Sequence, residues 1–141
     1  MSDAEDRVEI TEVLNRHQIY IDLADADGYA GLYAPDGSYE SPFGSASGHS
    51  DIAEMFRGLM ASGFTTNKRH FTGPSMIEIQ QNRATALSYF WVADYVADHA
   101  GEHPAVFATG TYKDELQKVD GAWKITRREQ TFHVRDSDTA R

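Results

Sequence analysis

The stretch that decides the fold is Ala84-Thr-Ala-Leu-Ser-Tyr-Phe-Trp-Val-Ala-Asp-Tyr-Val96. In an extended chain Leu87, Tyr89, Trp91 and Tyr95 share one face, and Ala86, Phe90, Val92 and Val96 share the other. A strand that is apolar on both faces is expected to be covered twice: by helices of its own chain and by another molecule. Working outward, Gln81-Asn82-Arg83 turns this strand back onto Met76–Gln80 as a hairpin. A loop over Asp98 to Pro104 leads to a strand from Ala105 to about Lys118. Val119-Asp120-Gly121-Ala122, with Asp-Gly at its centre, makes a second hairpin turn, and Trp123 to Val134 closes the sheet. Asp136 to Arg141 reads as a flexible tail.

The first third of the chain is helical instead. Ser2 or Asp3 opens a helix running from Ala4 to about Ala26, with acids in its first turn where the dipole favours them. Ile10, Val13, Leu14, His17, Ile21 and Ala24 form its buried stripe at helical period. Val8, Ile19 and Leu23 lie on the opposite face. Asp27-Gly28 breaks the helix. A short helix over Tyr29 to Tyr33, a Pro35-Asp36-Gly37 turn, a strand over Ser38 to Ser41 and a loop through His49 follow. Ser50 or Asp51 caps a helix to about Ala61, and Lys68 to Thr72 reads as a strand. Helices first and then about four consecutive antiparallel strands make an α+β domain.

Composition narrows the function. The chain has 141 residues, 40% of them hydrophobic, enough for one domain with its own core. A net charge of −9 argues against nucleic-acid binding, which uses a basic surface. There is no cysteine, hence no thiol nucleophile and no cysteine metal site. No membrane-spanning run and no signal-peptide core are apparent, so a soluble cytoplasmic protein is expected. His99 and His103 have the spacing of a helical zinc pair, but Gly101 and Pro104 place them in a loop, so no metal is expected. No glycine-rich phosphate loop follows a strand, and no cofactor is expected.

Asp22, near the end of the first helix, and His70, on the Lys68–Thr72 strand, carry the chemistry. Brought together in an apolar pocket, they would make an imidazole base oriented by a carboxylate, which moves protons on organic molecules unaided. Histidine titrates near ~6.5, so its neutral form is available at pH 7. The ordinary alternatives are a strand histidine satisfied locally and a solvated acid at a helix end.

The helix ending in Asp22-Leu-Ala-Asp-Ala-Asp27, the Leu32-Tyr-Ala-Pro-Asp36 run, Arg69-His70-Phe71 and Asp120-Gly-Ala-Trp-Lys124 resemble, in order and spacing, the SnoaL-like group of the nuclear transport factor 2-like superfamily. The resemblance covers residues 1–135 as a single domain. It implies a cone-shaped α+β barrel, a curved antiparallel sheet wrapped around N-terminal helices with a pocket at the open end. Scytalone dehydratase, hexachlorocyclohexane dehydrochlorinase and bile acid 7α-dehydratase, of this group, eliminate with an Asp–His pair that Asp22 and His70 match. Arg128 falls where the dehydrochlorinase has a functional arginine, Tyr39 where it has a pocket tryptophan, and His17 where it has a lysine. His17 and Tyr39, with Tyr20, are the candidate substrate contacts. Phe107-Ala-Thr-Gly-Thr111 lacks the second catalytic histidine of scytalone dehydratase, which argues against that reaction.

The resemblance therefore implies a cofactor-independent lyase acting on a small, largely apolar cyclic molecule, in a homodimer or homotrimer. An isomerase or polyketide cyclase with an acidic base stays open, as does a non-catalytic ligand-binding or assembly subunit.

Overall fold

The computed structural model describes residues 2–95 and 105–135. Val96, the His99–His103 loop and the 136–141 tail lie outside the described residues.

Helix α1, Asp3–Asp22, starts at a capping box: the Ser2 side chain accepts from the Glu5 N–H (3.2 Å), and the Ser2 N–H donates to Glu5 Oε2 (2.8 Å). Such a cap is worth about 1 kcal/mol. Ile10, Val13, Leu14, His17 and Ile21 face the sheet and are buried, while Val8 is 71% exposed on the far side, as the periodicity predicts. The helix ends earlier than expected. Ala24 takes a left-handed conformation (φ 58°), and Asp25 caps the next helix by accepting from the Gly28 N–H (2.9 Å). That helix, α2, is Ala26–Gly31, and α3 is His49–Ala61. Neither Ser50 nor Asp51 caps α3. The N-cap is Gly48 (φ 83°), whose N–H donates to the Gly37 carbonyl (2.8 Å) and ties the helix start to the sheet.

Six strands form one curved, unclosed sheet in the order β2-β1-β6-β5-β4-β3. They are β1 Tyr33–Ser41, β2 Gly44–Ser47, β3 Lys68–Gln80, β4 Arg83–Asp94, β5 Ala105–Val119 and β6 Ala122–Arg135. Strands β3 to β6 form the expected antiparallel meander. The edge beyond β6 differs from expectation. Strand β1 pairs parallel to β6, and Gly44–Ser47, expected as loop, pairs with β1 as an edge strand. Pro35-Asp36-Gly37 is an interruption inside β1, where the register against β6 shifts between Tyr33 and Ser38. Together the helices and sheet make a cone-shaped α+β fold.

The main core lies between α1, the inner sheet face and α2–α3, around Ile10, Leu14, Tyr29, Tyr33, Ile52, Phe56, Trp123 and Ile125. The base of the cone is pinned by Asp6, whose Oδ1 accepts from Trp123 Nε1 (2.9 Å) and pairs with Lys118 Nζ (2.8 Å). Among the described residues, no helix is long and apolar enough to cross a membrane.

Candidate active site

Asp22 and His70 meet. Asp22 is the last residue of α1, and His70 lies in the first half of β3 on the inner face. Asp22 Oδ1 is 2.8 Å from His70 Nδ1, and Oδ2 accepts from the His70 backbone N–H at 3.1 Å. One carboxylate thus holds both ring and strand, and both side chains are largely buried. A carboxylate can only accept, so Nδ1 carries the ring proton. The remaining nitrogen, Nε2, has the lone pair of a base.

His70 lines a cavity of about 50 Å³ between the helices and the inner sheet face. The polar lining also includes His17, Tyr29, Tyr39, Tyr112 and Gln130; the apolar lining includes Ile21, Met55, Phe56 and Leu59. Aromatic rings form part of the lining too. Phe43, on the β1–β2 turn, packs edge-on against Phe64 and Phe132 at 5.4 and 5.2 Å between centroids. At this volume the cavity has room for a few water molecules. Open grooves of about 500 Å³ lie along the sheet near Arg83 and near Trp91, but neither brings a carboxylate onto a histidine.

The structure spreads the other sequence candidates. His17 is 1% exposed and lines the cavity. Burial, and then the charge of Arg128, push its pKa well below the usual histidine value, so the ring is neutral. Its Nδ1 is 3.0 Å from Gln18 Oε1 and its Nε2 3.5 Å from the Tyr33 hydroxyl. Tyr39 lines the cavity and donates to Gln130 Oε1. Burial raises its pKa, keeping it a neutral donor. Tyr20 is not among the lining residues; its hydroxyl accepts from Arg16 Nη1 (3.0 Å) on α1 itself.

Arg128 is 0% exposed and bound through two hydrogen bonds to Asp114, Nε to Oδ1 at 2.6 Å and Nη2 to Oδ2 at 2.7 Å. Its guanidinium lies 3.9 Å from the Tyr112 ring centroid. Burial alone would lower its pKa, but the Asp114 charge and hydrogen bonds outweigh that and raise it. Its Nη1 is buried without a hydrogen-bond partner. Arg128 is not among the lining residues and sits behind the tyrosines as a matched charge.

Sequence reading did not single out Gln18, Tyr29, Tyr112 or Asp114 as site residues. Asp114 had a signal: it lies between Tyr112 and Leu116 at strand period. The parity of Arg128 was hidden by a bulge. Glu115 pairs with Arg127 but Leu116 with Ile125, so Thr126 is an extra residue on β6. The bulge brings Arg128 to the face of Trp123 and Ile125.

The profile of the SnoaL-like domain family matches residues 2–129. No curated protein matches at a significant level. Among solved structures, an NTF2-like protein with a cystatin-like fold from Novosphingobium aromaticivorans is 27% identical, with a TM-score of 0.78 over 97% of this chain and 88% of that one. ActVI-ORFA from Streptomyces coelicolor is 22% identical, with a TM-score of 0.78 over 90% of this chain and 97% of that one. LinA is 14% identical, with a TM-score of 0.80 over 93% of this chain and 88% of that one. The last two show a shared fold. With the family profile spanning nearly the whole chain on this fold, the protein belongs to the SnoaL-like domain family.

Proposed function

We propose that the protein is a cofactor-independent lyase that eliminates a small group from a largely apolar cyclic molecule, with His70 as base. The observation that carries this reading is the Asp22–His70 pair: Nδ1 held at 2.8 Å by a carboxylate, on a ring that lines a cavity otherwise made of neutral and apolar side chains. His70 Nε2 takes a proton from carbon. Asp22 keeps the tautomer and stabilises the imidazolium that forms. Phenols in the cavity wall stabilise the developing negative charge. Membership of the SnoaL-like family supports a small-molecule pocket. Both Asp22 oxygens are engaged by His70, which favours the ring over the carboxylate as base and weighs against an acid-base isomerase.

A cyclic substrate needs more room than this cavity offers, since ligand sites usually measure about 300–1,000 Å³. In this reading Phe43 and Phe64, carried on connecting segments, move aside to admit it.

The test is turnover of small cyclic β-hydroxy ketones and vicinal halides, followed by the absorbance of the new double bond and by halide release. His70→Gln should keep the far-UV circular dichroism and lose about 10²-fold or more, the lower end of general-base catalysis. Equal turnover by His70→Gln would remove the base. Tight binding with no turnover by wild type would point to a non-catalytic binding subunit.

A further inference from the structure

Among the described residues, two histidines line the cavity: His17 from α1 and His70 from β3. A single base needs only one of them, and the chain treats the two rings differently. His70 Nδ1 meets a carboxylate, Asp22 Oδ1, at 2.8 Å; His17 Nδ1 meets an amide oxygen, Gln18 Oε1, at 3.0 Å. Gln18 and Asp22 lie one helical turn apart on the same face of α1. Each also holds the β3 backbone at one place. Asp22 Oδ2 accepts from the His70 N–H, and Gln18 Nε2 donates to the neighbouring Phe71 carbonyl (3.4 Å).

Gln18 is 3% exposed, and its partners fix which way its amide points. The Phe71 carbonyl can only accept, so the NH₂ end faces it. A flipped amide would set two oxygens against each other. The Oε1 end is left to His17 Nδ1 and to the Tyr112 hydroxyl, 3.3 Å away, and both donate to it. A neutral imidazole with its proton on Nδ1 has none on Nε2. The tautomer of His17 thus follows from a backbone carbonyl beside His70, through one side chain.

The groups around His17 favour a neutral ring. Tyr29 on α2, Tyr33 on β1 and Tyr112 on β5 pack against it, and burial keeps all three phenols protonated. On β6 the charged Arg128 lies behind Tyr112. The carboxylates nearby, Asp114 and Asp22, are bonded to Arg128 and His70, not to His17.

We infer that Gln18 is a positioning residue: its amide, set by the Phe71 carbonyl, holds His17 as the neutral Nδ1–H tautomer and leaves His70 as the histidine of the cavity that takes up the substrate proton. The role in catalysis rests on the reading of His70 as base; the tautomer does not. An amide at position 18 gives His17 a partner without a charge. A carboxylate there would repeat the Asp22–His70 arrangement on His17 and give the cavity a second proton acceptor. Two imidazolium rings on one small cavity would repel each other. With Gln18 in place, the proton taken from carbon has one destination.

The experiment is a titration of ¹⁵N-labelled protein downwards from about pH 8, where histidines change charge, followed by long-range ¹H–¹⁵N correlation spectra. His17 and His70 are assigned by their loss in His17→Phe and His70→Gln. In wild type His17 should keep a protonated-type Nδ1 and an unprotonated-type Nε2 to about pH 6 or below. Gln18→Met keeps the length and removes both polar ends. His17 should then average between tautomers or move its proton to Nε2, with His70 still protonated on Nδ1 through Asp22. His70 is the internal control, since a general loosening of the fold would blur both rings. Should Gln18→Met fail to fold, Gln18→Glu keeps the acceptor and adds a charge. His17 should then take its second proton at a pH about one unit or more above that of wild type, the shift an adjoining opposite charge gives. Wild-type His17 protonated on Nε2 overturns the inference, as does Gln18→Met with the His17 tautomer unchanged or Gln18→Glu with no shift. No turnover is read, so these failures are distinct from that of the base, which fails if His70→Gln turns over like wild type.

Discussion

Asp114→Asn tests whether the charge behind the cavity is held as the structure implies. Both partners are fully buried, and each Asp114 oxygen accepts one guanidinium N–H. Asparagine has the same shape but no charge, and turns an N–H₂ toward one of those donors. Arg128 does not escape by deprotonating, because a guanidinium keeps its charge in proteins. Breaking a buried pair on one side costs about 3–5 kcal/mol. The cation–π contact with Tyr112 survives, so the lower end, about 3 kcal/mol, is expected. That is a large share of a typical total of about 5–15 kcal/mol. The assay is urea unfolding followed by the fluorescence of Trp91 and Trp123. With a slope of about 2 kcal/mol per M, the midpoint should fall by about 1.5 M. Asp114→Leu combined with Arg128→Met should recover most of the loss, since an apolar pair leaves no charge to desolvate. A single Asp114→Asn variant within about 1 kcal/mol of wild type would refute the reasoning.

His17 should make the protein acid-sensitive. Its folded pKa lies well below 6.5, so as pH falls through about 6.5 the unfolded chain binds a proton that the folded one does not. Stability should therefore fall with pH, by at most about 1.4 kcal/mol per unit from this group, and His17→Phe should flatten that part of the profile. Gly110→Ala should destabilise by about 3 kcal/mol or more, measured by denaturant melt, because a Cβ there would meet the Thr131 carbonyl oxygen and the Phe90 ring. On the outer sheet face Met76, Tyr89, Trp91 and Val106 are exposed, and Trp91 stacks on Phe71 (4.3 Å). Self-association through this face is expected, and sedimentation should show Trp91→Lys shifting the protein towards a 15.7 kDa monomer; a wild type already monomeric at micromolar concentration would count against it.

Elements governed by local periodicity were legible in the sequence. Alternation along Ala84–Val96 separates the buried Ala86, Phe90 and Val92 from the exposed Tyr89 and Trp91, and Asp120-Gly121 makes its turn with both residues at positive φ. What depends on long-range pairing was not. Nothing local announces that β1 lies parallel to β6, or that Gly44–Ser47 finds a strand partner. Irregularities also defeat parity. The register slip between Thr72 and Ser75 lets His70 and Ile77 both face inward on one strand, and the bulge at Thr126 does the same for Ile125 and Arg128. Asp22 and His70 were legible through resemblance, while the place of Tyr29 in the cavity wall follows from tertiary packing that no local pattern announces.

In the proposed mechanism Asp22 holds the His70 ring with its proton on Nδ1 and leaves Nε2 as the base. Long-range ¹H–¹⁵N correlation spectra of the protein near pH 8, with His70 assigned by its loss in His70→Gln, test this without a substrate. An Nδ1 resonance of protonated type and an Nε2 resonance of unprotonated type are expected, the two exchanging character or averaging in Asp22→Asn. A wild-type His70 already protonated on Nε2, or averaging between tautomers, would contradict it.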